Sequence, residues 1–107
     1  KERTKPLRAP LIIAVGVENP NEPKISEVEN ICAAAAACQS ILLAAQSLGL
    51  AAIWRTGPAA LDPLVKEFLG LENDQHLVAF LYIGYPAKPS ALPERPDFSD
   101  RTTWLDS

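Results

Sequence analysis

Two stretches of the chain run apolar with almost no alternation. Ala9-Pro10-Leu11-Ile12-Ile13-Ala14-Val15-Gly16-Val17 is one, and the run from His76 to Tyr85, closed by Pro86, is the other. Alternation vanishes where both faces of a strand are covered, so both runs predict buried strands. Between them the period changes. Val28, Ile31, Ala35, Cys38, Leu42 and Ala45 recur every three or four residues, the spacing of one helix face. Gln39, Ser40, Gln46 and Ser47 give a weaker polar stripe. Ser26-Glu27-Val28-Glu29 fits a capping box, in which the Ser26 hydroxyl accepts from the third helical N–H and Glu29 reaches back. No Gly or Pro follows until Gly49, which supplies the stop. A long, well-buried central helix is the expectation. Ala33 to Ala37 put no bulky group on any side of it, so other backbone or a flat ligand can approach closely.

The remaining elements are short. Glu18 to Lys24, with Asn19, Pro20, Asn21 and Pro23, reads as a loop. Ala51-Ala52-Ile53-Trp54 is an apolar segment out of which Arg55-Thr56-Gly57-Pro58 turns sharply. Asp62 caps a short helix with Pro63 at its favoured first position, running through Leu69 to Gly70. Pro86, Pro89, Pro93 and Pro96 preclude a helix or a central strand beyond Tyr85. Residues 87–107 are therefore expected to form an extended arm that packs on something else, such as a partner subunit, with Trp104 and Leu105 as its anchor. The order strand, long helix, short strand, short helix, strand, arm describes a small sheet with the long helix over one face, in an α/β or α+β layer.

Composition narrows the class. A chain of 107 residues forms one domain at most and buries roughly 65% of its unfolded surface. With 10 Lys+Arg against 13 Asp+Glu, it lacks the basic stripe on which nucleic-acid binding depends. No uninterrupted apolar run reaches the roughly 18–20 residues of a bilayer span, so neither a membrane span nor a signal peptide is expected. The sequence has no Met, even at position 1, where it begins Lys1-Glu2-Arg3-Thr4, so it is expected to be a portion of a longer protein. Cys32 and Cys38 lie six apart in the predicted helix, about 600° of rotation, and point to different faces. They form neither a disulfide framework nor a metal site, and a reducing, cytoplasmic compartment is the expectation. The single histidine, His76, reads as structural.

Candidate chemistry is sparse. The five glycines are scattered singly, so neither G-x-G-x-x-G nor a P-loop is present, and no acid–base pair or nucleophile stands out. One segment carries promise. A turn bearing Trp54 and Arg55 at a strand end would present a flat ring, a bidentate donor and free backbone N–H groups together, which suits a planar anionic ligand. The plainer alternative makes Trp54 core and Arg55 a surface charge.

The run from Arg8-Ala9-Pro10-Leu11-Ile12-Ile13 through the Ala-rich helix to Ile53-Trp54-Arg55-Thr56-Gly57, with Phe80-Leu81-Tyr82-Ile83-Gly84-Tyr85-Pro86 beyond, resembles the C-terminal part of the nitroreductase family. The resemblance covers all but about the last dozen residues. It implies an α+β, nitroreductase-like fold and a homodimer with FMN at the subunit interface. It also implies transfer of hydride from NAD(P)H, through the flavin, to nitroaromatic or quinone-like acceptors. Carried over by position, Trp54, Arg55 and Thr56 would contact FMN, with the Thr56 and Gly57 N–H groups near the flavin's redox-active edge. Ala44-Ala45-Gln46-Ser47-Leu48-Gly49 matches the stretch assigned to the nicotinamide cofactor, though packing explains an Ala/Leu helix end equally well. The family's N-terminal helix with an R-R-S-type motif, which grips the FMN phosphate, has no counterpart here. Arg95 offers one cation in its place, or a solvated surface charge. Two rivals stand beside the enzyme: a non-catalytic flavin-binding or dimerisation module on the same scaffold, and an unrelated small α+β domain without cofactor.

Overall fold

A computed structural model of the chain describes residues 9–89 and 91–106. Strand β1 (Leu11–Val17) leads to helix α1 (Glu27–Ser47), strand β2 (Ala51–Arg55), helices α2 (Pro58–Leu61) and α3 (Pro63–Phe68), and strand β3 (His76–Gly84). The strands form one antiparallel sheet in the order β1-β3-β2, so the last strand is central. The fold is α+β, a small sheet with one long helix on it.

Period-2 alternation divides the sheet into two faces. On one, Leu81 is fully buried between Ile13 of β1 and Trp54 of β2. Ala79 and Ile83 extend that row, and Cys38, Ile41 and Leu42 of α1 close over it. The α1 face is the one read from the sequence, except that Val28 lies 66% exposed in the first turn. The capping box forms as expected: the Glu29 N–H donates to the Ser26 hydroxyl and the Ser26 N–H to Glu29, each at 3.2 Å. At the other end Gly49 adopts φ +77°, letting the Leu50 N–H reach the Ala45 carbonyl and the Gly49 N–H that of Gln46. This Schellman geometry turns the chain straight into β2. Asp62 caps α3 through the Leu64 N–H at 2.9 Å.

Four expectations need correction. Helix α1 is not well buried: only Cys38 and Ala45 are, because a three-stranded sheet covers one helical stripe and leaves the other sides open. That helix is also long and apolar enough, by length and composition, to cross a bilayer. Its polar interruptions Gln39, Ser40 and Gln46 are uncharged, so counting apolar runs passed over it. Strand β1 is not covered on both faces: Leu11, Ala14 and Gly16 are exposed and only Val17 is buried, and the strand lies at the edge of the sheet. Residues 58–61 form the helical turn α2, where a simple turn was expected.

Cys32 is exposed and Cys38 buried, on different faces as anticipated, and both are free. His76, at the start of β3, pairs with Glu27 at the start of α1, a structural role. Beyond Tyr85 the only element among the described residues is a 3₁₀ turn, Ser99–Arg101. The arm's Leu92, Phe98, Trp104 and Leu105 are all exposed. Ser90 and Ser107 of the arm, and the opening residues 1–8 with Arg8, lie outside the described residues.

Candidate functional site

The segment singled out by sequence sits where β2 leaves the sheet. The ladder runs from Ala51 opposite Gly84 to Arg55 opposite Phe80, and the chain then departs through Thr56 and Gly57. Gly57 adopts φ +104° and ψ −167°, a region open almost only to glycine. It precedes Pro58, the first residue of α2, and no side chain caps that turn. A Cβ placed on Gly57 would meet nothing within 4 Å, so the space over the turn is open.

Trp54 and Arg55 do not converge. Adjacent strand residues point to opposite faces. Trp54 is half-buried among the residues packed beneath α1, and its indole N–H donates to the Val78 carbonyl at 3.1 Å. Its ring belongs to the core and its one donor is committed. Arg55 is exposed on the other face, along a shallow groove of about 220 Å³ lined by Pro10, Ile53, Tyr82, Gly84 and Tyr85. No carboxylate pairs with Arg55 among the described residues. The constellation of ring, guanidinium and turn amides expected from sequence is thus split by the pleat: Arg55, Thr56 and Gly57 remain accessible together.

Ala44 to Gly49 lie at the far end of β2, about 16 Å away at the usual rise per residue. The Ser47 hydroxyl donates to the Ala44 carbonyl at 2.8 Å, Ala45 is buried, and Leu48 and Gly49 form the helix end. Gln46 is exposed and is the polar side chain of this stretch that carries no hydrogen bond among the described residues. A helix C-terminus carries the negative end of the backbone dipole, which opposes phosphate groups. Arg95 is exposed on the arm.

Sequence reasoning passed over three residues. Tyr82 and Tyr85 border the groove beside Arg55, which only the β2–β3 register reveals. Lys66 is buried, its ammonium donating to the Asn73 carbonyl at 3.1 Å, and it ties α3 to the loop before β3. A lysine in an amphipathic helix gives no warning of that.

A planar, anionic cofactor has fitting partners here in an exposed guanidinium with no carboxylate partner among the described residues, a glycine turn with open space above it, and an aromatic-edged groove. The chain belongs to the Nitroreductase family, whose model matches residues 1–85. Among curated relatives, the Putative NAD(P)H nitroreductase YdjA of Escherichia coli strain K12 is 36% identical over 106 residues, covering 98% of this chain and 58% of YdjA. YfhC of Bacillus subtilis strain 168, named in the same way, is 25% identical over 92 residues, covering 86% and 46%. The chain thus spans about half the length of these relatives. The same holds for solved structures. A nitroreductase-like family protein from Bacillus cereus superposes with a TM-score of 0.77 at 26% identity, over 90% of this chain and 51% of that one. A nitroreductase with bound FMN from Bacteroides fragilis does so at 0.65 and 27%, over 94% and 54%.

Proposed function

We propose that the chain forms part of an FMN-dependent oxidoreductase that uses NAD(P)H to reduce nitroaromatic or quinone-like acceptors. The observation that carries the reading is the accessible Arg55-Thr56-Gly57 exit of β2, in a family one of whose solved members holds FMN. Bound there, FMN would supply the hydride chemistry. Arg55 would hold negative charge on the cofactor, and the Thr56 and Gly57 N–H groups would donate toward the ring edge, where electron density rises on reduction. Ile53, Tyr82 and Tyr85 would exclude water from one side. The helix end at Ala44–Gly49 suits the nicotinamide ring of the reductant better than its phosphates, for the dipole reason given above. We further propose a homodimer with FMN between protomers, and a cytoplasmic location consistent with two free thiols.

The test is FMN retention followed by turnover. The protein, mixed with FMN and freed of excess, is expected to keep a flavin band with a shifted maximum and to oxidise NAD(P)H when an acceptor is added. Arg55→Ala lowers flavin occupancy. Retained flavin without turnover would favour a flavin-binding module instead.

A further inference from the structure

The central strand is irregular at the point that faces the β2 exit. Along β1 the pairing runs regularly from Leu11 opposite Ile83 to Val15 opposite Ala79. It then slips by one, so that Gly16 lies opposite Leu77, and Val78 has no partner on β1. On the other side β2 has already ended at Arg55 opposite Phe80, two residues short of Val78. Val78 is therefore the extra residue of a bulge, beyond the end of one ladder and skipped by the other. Its carbonyl is reached by a side chain, the Trp54 indole N–H.

We infer that Trp54 is a positioning residue for the β2 exit: its indole clamps the Val78 bulge and so fixes the path of Arg55-Thr56-Gly57, without its ring touching the cofactor. The inference rests on the flavin reading of that turn, but the clamp itself does not. Three features support it. The donor is half-buried, so the bond is shielded from competing water. The ring beneath it is packed against the Cys38–Leu81 cluster, which holds the indole in one orientation. The residues it would fix follow directly, and Gly57 by itself is the most permissive residue the turn could contain. Bulges re-aim neighbouring groups and gather beside active sites. Here one hydrogen bond joins the bulge to the strand residue next to Arg55, two before Thr56.

The experiment compares the native protein with Trp54→Phe, which keeps an aromatic ring and removes the donor. Backbone amide exchange is followed by mass spectrometry over residues 50–60 and 76–84 without FMN, and the FMN dissociation constant is measured separately. To guard against a packing defect in Trp54→Phe, Trp54 is also replaced by benzothienylalanine, which preserves the ring shape and lacks the N–H, in a Trp104→Phe background. Loss of one neutral hydrogen bond is expected to speed local exchange about fivefold and to weaken FMN binding by a similar factor. Both replacements should behave alike, with the helix signal in circular dichroism unchanged. Unaltered exchange, or faster exchange with unaltered FMN affinity, would overturn the inference. If the native protein binds no FMN, the flavin reading falls, and the exchange data still decide whether the clamp exists.

Discussion

Gly57 concentrates the backbone demands of the site. Its φ of +104° with ψ near −167° is a conformation in which a Cβ is strained whatever space surrounds it. Gly57→Ala is therefore expected to cost about 1–3 kcal/mol in folding free energy, measured by denaturant titration, and to weaken FMN binding. An unchanged midpoint would mean that the turn relaxes without cost. The need for a glycine here was legible, since Gly57-Pro58 after an apolar segment marks a turn. The separation of Trp54 from Arg55 was equally deducible from the two-residue period of a strand, once Ala51–Arg55 is recognised as one. What the sequence could not show is the neighbourhood of Arg55. Tyr82 stands opposite Ile53 only because of the β2–β3 register, a long-range quantity that no local pattern carries.

At the scale of elements, α1 is the most informative case. Capping box, inward face and glycine stop were all readable because they depend on residues within one or two turns of each other. Its degree of burial was not, because periodicity reports which face turns inward and says nothing of how much lies outside the other faces. The two thiols measure this directly. Cys32 should react with a thiol reagent in the folded protein, and Cys38 only on unfolding. Burial also raises the Cys38 thiol above its ordinary value of 9.0. The folded state then keeps this proton longer than the unfolded state, so the effect is absent below the ordinary value and stability falls as pH rises through it. The thermal midpoint of the native protein should consequently drop more steeply above about pH 9 than that of Cys38→Ala. Parallel slopes would place Cys38 in contact with water.

The whole molecule is open for its length. Its radius of gyration is 17.2 Å, against about 13 Å for a compact chain of this size. Among the described residues, exposed apolar groups include the outer side of α1, with Ala33, Ala36 and Leu43, Leu61, Leu64 and Phe68 of α2 and α3, and the arm with Phe98, Trp104 and Leu105. The exposure of the arm's apolar side chains agrees with its reading as an extended segment, since its prolines preclude regular structure while Trp104 and Leu105 remain apolar. What it packs on is the expectation that light scattering tests. For α1 the small residues Ala33 to Ala37 signalled that other backbone could approach closely, but not that this side lies outside the fold. If these surfaces meet a second copy, light scattering should give twice the chain mass of 11.6 kDa. Ala36→Arg, which sets a charge in the middle of the flat face, should then yield the single-chain mass. A monomeric native protein would remove the homodimer, and with it an FMN site shared between protomers.

The central claim is that the β2 exit holds a flavin. The most direct measurement is the visible absorption spectrum after FMN is added and excess removed, run in parallel on the native protein and Arg55→Ala. The account predicts a retained band with a shifted maximum in the native protein and a clear loss of occupancy in the variant. No retained flavin in the native protein, or equal retention in both, would contradict it.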